Sequence, residues 1–222
     1  MGQGNDKKLR HVALLRGARA AARLSISLAA DYRLEVDLRL PSPAIFIAPH
    51  RSMFDIPLGI ETFHRLGIAP LLVVSKSQLR SMRIPESNWD ALDLLPISRD
   101  SSGRSSMLAA GATALFAGRS VAIMPEGKIF RGSGGKVRSG APELAVRTGA
   151  PIVVLGSAGA EQFWQRGKPA TFVNVSRKPV VVVVHDVVQP NGDTEDTRER
   201  VAASLKEAEA RAQARLESAH AS

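Results

Sequence analysis

His50 and Asp55 stand five positions apart in the stretch His50-Arg51-Ser52-Met53-Phe54-Asp55, immediately after the apolar run Ala44-Ile45-Phe46-Ile47-Ala48. A strand that delivers a histidine to its tip, with an aspartate close behind, is one way to build a general base and its orienting partner. Within one continuous helix the two side chains would miss each other, because five residues turn about 500° and leave them roughly 140° apart. They meet if His50 sits in the loop and Asp55 in the first helical turn. Asp55 would then fix the imidazole tautomer and support the positive charge that grows as His50 takes a proton. Ser52-x-x-Asp55 also has the spacing of a helix capping box, so Asp55 has a purely structural reading as well. A second apolar run, Val121-Ala122-Ile123-Met124, ends in Pro125-Glu126-Gly127. The two patterns, in this order, suggest acyl transfer to a hydroxyl.

Two further segments carry cations. Leu95-Pro96-Ile97-Ser98-Arg99 closes an apolar stretch with an arginine, and the Gly/Ser-rich stretch from Gly127 to Gly140 carries Lys128, Arg131, Lys136 and Arg138. A strand end with a surface arginine and a solvated loop are the plain readings. The functional one is a set of donors for a phosphate. The loop is not a phosphate-binding P-loop, since Gly135-Lys136 is followed by Val137 rather than Ser or Thr. Other chemistries fall away. There is no cysteine, which removes disulfides, thiol catalysis and Cys-based zinc sites. His11, His64 and His220 lack ligand-spaced partners, so no metal site is expected. His185 and Asp186 are neighbours in an expected strand and point to opposite faces. No Gly-x-Ser-x-Gly elbow is present.

The elements that must position these residues follow an α/β pattern. Expected strands are 44–48, 70–75, 120–124, 151–156 and 180–185, and expected helices 7–30, 53–65, 104–117, 142–148 and 194–218. Pro142 near a helix start and Gly149 just past its end fit the usual punctuation. Near-continuous apolar runs such as Ile152-Val153-Val154-Leu155 imply a sheet buried on both faces. Arg33 to Leu40 alternates, with Leu34, Val36, Leu38 and Leu40 on one side, and reads as a half-exposed strand. The last helix carries mixed charges around a thin stripe of Val201, Leu205, Ala208, Ala212 and Leu216, which reads as a solvated covering helix. The fold class expected is therefore a mixed, mostly buried sheet flanked by helices, preceded by a basic amphipathic N-terminal helix.

The chain has 222 residues, enough for one domain with a full core. Its net charge of +9 seeks polyanions: nucleic acid, anionic lipid or phosphorylated ligands. Residues 1–33 hold seven basic and two acidic side chains, a net of +5. This segment reads either as a surface helix packed on the domain or as an interfacial helix on an anionic bilayer. Aromatic residues make up only 5%, which counts against stacking on single-stranded nucleic acid. No run approaches the ~20 apolar residues of a spanning helix. Arg16, Arg19 and Arg23 break the apolar part of any secretory signal, while an Arg-rich, acid-poor start leaves a mitochondrial transit peptide open.

Taken together, the ordered patterns resemble the glycerolipid acyltransferase family, and within it the 1-acyl-sn-glycerol-3-phosphate acyltransferases. His50 and Asp55 match its His-x-x-x-x-Asp. Pro96-Ile97-Ser98-Arg99 is similar to its segment ending in a phosphate-contacting arginine. Pro125-Glu126-Gly127 matches the centre of its Phe-Pro-Glu-Gly-Thr-Arg-Ser motif, and Gly149-Ala150-Pro151-Ile152-Val153-Val154 its last strand. The phrase Lys136-Val137-Arg138-Ser139-Gly140-Ala141 also looks like the family's Lys/Arg-Ser-Gly-Ala helix start. The resemblance spans roughly residues 34–186, and four motifs in order are far more specific than one. It implies an acyltransferase domain over 34–222, with 1–33 as a membrane-surface helix within a single-domain chain. It implies transfer of a fatty acyl chain from acyl-CoA, or acyl carrier protein, to the free hydroxyl of a lysophospholipid acceptor, 1-acyl-glycerol-3-phosphate, giving phosphatidic acid. His50 and Asp55 would be catalytic. Arg99, Glu126, Gly127, Lys128 and Arg131 would bind substrate, with no metal or other cofactor. The expected place is the cytoplasmic face of a membrane, held peripherally on its anionic surface. Lys128-Ile129 stands where the family has Thr-Arg, and Val154 where it has a second proline, so the acceptor headgroup stays open: glycerol-3-phosphate or another lysolipid is the alternative. A non-enzymatic basic domain binding nucleic acid or lipid is the reading from another class.

Overall fold

In a computed structural model, which describes residues 2–81, 83–98, 100–130, 135–163 and 177–220, seven strands form one mixed sheet. The strands are β1 (Ala30–Val36), β2 (Ile45–Ile47), β3 (Leu71–Ser75), β4 (Leu94–Ile97), β5 (Val121–Ile123), β6 (Ile152–Ala158) and β7 (Lys178–Val188). Their order across the sheet is β1-β7-β6-β2-β5-β3-β4, and every pair is parallel except β6 with β7. The helices are α1 (Gly2–Ala29), α2 (Asp55–Arg65), α3 (Lys76–Ser81), α4 (Ser101–Phe116), α5 (Gly140–Thr148) and α6 (Thr194–His220).

The apolar runs form the central strands because both faces of the sheet are covered. One core joins Ile45, Ile47, Ile152 and Val154 to Met107 and Leu108 of α4, Leu144 of α5 and Val201 and Leu205 of α6. The other joins Phe46, Val153 and Leu155 to Ile26 of α1 and Phe54 and Leu58 at the start of α2. Alternate residues of a strand point to opposite faces, which is why Phe46 enters one core and its neighbours Ile45 and Ile47 the other. Local chemistry sets the helix ends. The Asp100 carboxylate accepts from the Gly103 N–H at 2.9 Å at the start of α4, and Gly149 ends α5 at φ +69°.

Besides the short helix α3, which is not among the expected elements, two details depart from them. The alternating strand begins three residues early and ends at Val36, because β1 pairs with β7 from Ala30↔Lys178 to Val36↔Val184. Its buried side starts at Ala30 and Tyr32; Val36 is 40% exposed, and Leu38 and Leu40 pack against the core from outside the strand. The segment before Arg99 forms an edge strand, β4, where Pro96 costs little because no strand lies beyond it. The stripe expected on the last helix is buried as a row, Val201, Leu205, Ala208, Ala212 and Leu216, against β6 and β7.

Candidate active site

β2 and β5 are parallel neighbours with Ile47 opposite Ile123. His50 and Glu126 each lie three residues beyond that pair, so the sheet register carries both to the same edge. The His50 N–H donates to Glu126 Oε1 at 3.5 Å, and both residues are 3% exposed.

His50 sits in the loop after β2 and Asp55 opens α2. Between them Met53 and Phe54 are buried, and Phe54 stacks on Phe163 with ring centroids 4.6 Å apart. This apolar anchor draws the chain into the turn that brings the pair together. Asp55 Oδ2 accepts three hydrogen bonds: from His50 Nδ1 at 2.9 Å, and from the backbone N–H groups of Arg51 and Ser52 at 2.7 Å each. The Ser52 hydroxyl accepts from the Phe54 N–H at 3.0 Å. α2 itself has Phe54 at its N-cap and no side-chain cap, so Asp55 ties the turn that precedes the helix rather than capping the helix. The same oxygen that bonds the first peptides of the turn holds the imidazole. With the Nδ1 proton given to Asp55, a neutral ring carries its lone pair on Nε2, the form a general base needs.

The segment after β5 is tied to this turn. The Phe130 N–H donates to the His50 carbonyl at 2.8 Å, and Arg138 donates through its backbone N–H to Pro125 O at 3.0 Å and through Nε to Glu126 O at 3.1 Å. Gly135 leaves room for the carboxylate: a Cβ there would lie 2.6 Å from Glu126 Cγ. Gly127 turns at φ +67°, and Lys128 beside it is exposed. Arg99 and Arg131, the other expected phosphate contacts, lie outside the described residues.

Sequence reasoning did not single out Arg51 or Glu209. Arg51 lies inside the His–Asp stretch, where its neighbours drew the chemical reading, and Glu209 is one of many charges on α6. The fold brings them into an ion pair, with side chains 9% and 11% exposed. Arg51 Nη1 also lies 3.9 Å from Glu126 Oε1, and its guanidinium sits over the Phe130 ring at 5.6 Å.

Burial pushes the Glu126 carboxyl above its usual value of 4.5, against the lowering effect of nearby backbone N–H groups and of Arg51 and His50. The folded chain therefore keeps this proton to a higher pH than the unfolded chain, and native stability falls as pH rises from 4.5 through the raised value. Glu126→Gln removes that slope. Urea unfolding at a series of pH values should show the variant gaining on the parent across this window and holding a constant difference above it. Parallel curves would contradict the assignment.

An apolar cavity of about 540 Å³ opens beside the pair. Ala48, Pro49 and Asp55 line its near end, with Phe46, Leu72, Met124 and Leu155 along the sheet, and Ala18 and Ala22 of α1 form part of its wall. Its size lies in the range of ligand pockets. Among the described residues, no group of three or more His, Cys, Asp or Glu is placed to hold a metal ion, and no helix is long and apolar enough to cross a membrane.

The family model described as Acyltransferase matches residues 32–157, more than half of the chain, and His50, Asp55 and Glu126 lie within it. The chain belongs to the acyltransferase family. The fold of this acyltransferase is similar to the crystal structure of the 1-acyl-sn-glycerophosphate (LPA) acyltransferase PlsC from Thermotoga maritima. The TM-score is 0.67 at 22% identity, covering 92% of this chain and 81% of that one. No curated protein matches the acyltransferase in sequence.

Proposed function

We propose that this acyltransferase moves a fatty acyl chain from acyl-CoA, or acyl carrier protein, to the free hydroxyl of 1-acyl-glycerol-3-phosphate. The observation that carries the reading is the buried His50–Asp55 pair, 2.9 Å apart, whose Asp55 lines the apolar cavity. A His–Asp pair whose aspartate lines an apolar pocket suits one polar reacting group on an alkyl chain.

In this reading His50 Nε2 removes the proton of the acceptor hydroxyl as its oxygen attacks the thioester carbonyl carbon. The C–S bond breaks, the thiolate leaves, and the proton on His50 passes to it. Asp55 supports the imidazolium between these steps. No acyl-enzyme forms, so the missing cysteine is no obstacle, and no metal or prosthetic group takes part. A positioned base contributes typically ~10²–10⁴ in rate, and alignment of the two reactants supplies much of the rest. Glu126 and Gly127 flank the acceptor backbone, while Lys128, Arg99 and Arg131 meet its phosphate. The name of the Thermotoga maritima protein supports the lysophosphatidic acid acceptor. Lys128-Ile129, where the family has Thr-Arg, favours a different headgroup as the second reading.

Membrane docking belongs to the same proposal. α1 buries Ala22, Ile26 and Ala29 in the domain and exposes Leu24 and Leu28, 59% and 58% accessible, beside Arg16 and Arg23. Basic and apolar side chains together suit the anionic cytoplasmic leaflet, where the acceptor lipid resides.

Thiol release from palmitoyl-CoA, measured with a panel of lysolipids and glycerol-3-phosphate on neutral and phosphatidylserine-containing vesicles, tests both parts. Release is expected with lysophosphatidic acid, faster on the anionic vesicles. No release with any acceptor would overturn the enzymatic reading, and indifference to vesicle charge would overturn the docking.

A further inference from the structure

The C-terminal helix contributes nothing to the steps above, yet it sends a carboxylate into the site. α6 lies so close to β6 that a Cβ at Gly156 would come 2.0 Å from the Ala208 carbonyl oxygen. The next residue of the helix, Glu209, pairs with Arg51. Arg51 in turn stands 3.9 Å from Glu126, whose side chain is 2% exposed. One buried cation is thus shared unequally between two carboxylates, in contact with the one on the helix and apart from the one beside His50.

We propose that Glu209 is a positioning residue for acyl transfer, holding Arg51 on the α6 side so that the Glu126 carboxyl stays available to the acceptor. The inference rests on the acyl-transfer reading. The backbone of Arg51 is fixed by its N–H bond to Asp55 Oδ2 at 2.7 Å, so the freedom left to it lies in its side chain. Among the described residues, the charged groups around Glu126 come from three directions. His50 and Arg51 belong to the turn before α2, Arg138 to the segment after β5 through its bond to the Glu126 carbonyl, and Glu209 to α6. A guanidinium in a site of low dielectric is drawn strongly to whichever carboxylate remains. Without the Glu209 charge, Arg51 closes on Glu126, occupies it and favours its ionised form.

Glu209→Gln and Arg51→Gln, made singly and together, test this. The readouts are the ¹³C carboxyl titration of Glu126, identified by its loss in Glu126→Gln, and kcat and KM for lysophosphatidic acid with palmitoyl-CoA. In Glu209→Gln, Glu126 should titrate lower than in the parent. KM for the acceptor should rise about tenfold, the worth of one charged hydrogen bond, with kcat held within about threefold. Adding Glu209→Gln to Arg51→Gln should change neither, because the effect passes through Arg51. Glu209→Asp, which keeps the charge, should recover most of the KM. An unmoved Glu126 titration overturns the proposal, as does an equal rise in KM on the Arg51→Gln background. A merely structural role for Glu209 would lower the melting temperature and leave the titration in place, which also overturns it. Should Arg51→Gln not fold, the titration in Glu209→Gln alone decides. Absence of turnover with every acceptor in the parent enzyme counts against the proposed function, whereas the titration still decides whether the three side chains are coupled.

Discussion

His50→Ala is expected to lower palmitoyl-CoA thiol release with the acceptor lipid by about 10²–10⁴-fold, the range that one positioned general base supplies. The substitution removes the imidazole and little else. Asp55 Oδ2 keeps the N–H groups of Arg51 and Ser52, so the turn into α2 survives. The His50 backbone N–H toward Glu126 and its carbonyl, which accepts from Phe130, are untouched. Met53 and Phe54 still anchor the stretch in the core. Binding of acyl-CoA, read by the melting temperature in its presence, should therefore persist in the variant. That separates a missing base from a missing pocket. Turnover equal to the parent would remove His50 from the chemistry and leave the pair as a buried structural contact.

The second large effect concerns stability. Gly156→Ala should cost on the order of 3 kcal/mol, at the upper end of what overpacking a core does. The added methyl would meet the Ala208 carbonyl oxygen at 2.0 Å and its carbon at 2.3 Å. Both are backbone atoms of a helix whose neighbouring side chains Leu205, Ala208 and Ala212 are buried, so no side chain can step aside. α6 must shift away from β6. The shift would also draw Glu209 from Arg51, so the Glu126 titration should move with it, as in Glu209→Gln. Urea denaturation gives the stability change through the midpoint at constant slope. A midpoint equal to the parent's would mean that the helix does not seat on β6 at this glycine.

The expected helices and strands were largely legible because their signals are local. The stripe Val201, Leu205, Ala208, Ala212 and Leu216 recurs at helical spacing, and those residues are the buried row of α6. Ile152 to Leu155 is apolar throughout and is covered on both faces. The alternation from Arg33 to Leu40 misled by a few residues, since alternation gives a face but not the point at which pairing starts. β7 supplies that point, and it pairs from Ala30.

Residue types and near neighbours, by themselves, determined the α/β class and set the condition for a His50–Asp55 contact, a loop position for one and the first helical turn for the other; burial of Phe54 in the folded core is what meets that condition. Only the tertiary structure decided that Glu126 stands beside His50, that Arg51 lies between Glu126 and Glu209, and that α1 walls an apolar cavity reaching Asp55. Each of these depends on how strands register and helices seat against one another. Those are choices made by packing between segments far apart in the chain, which no spacing along it records.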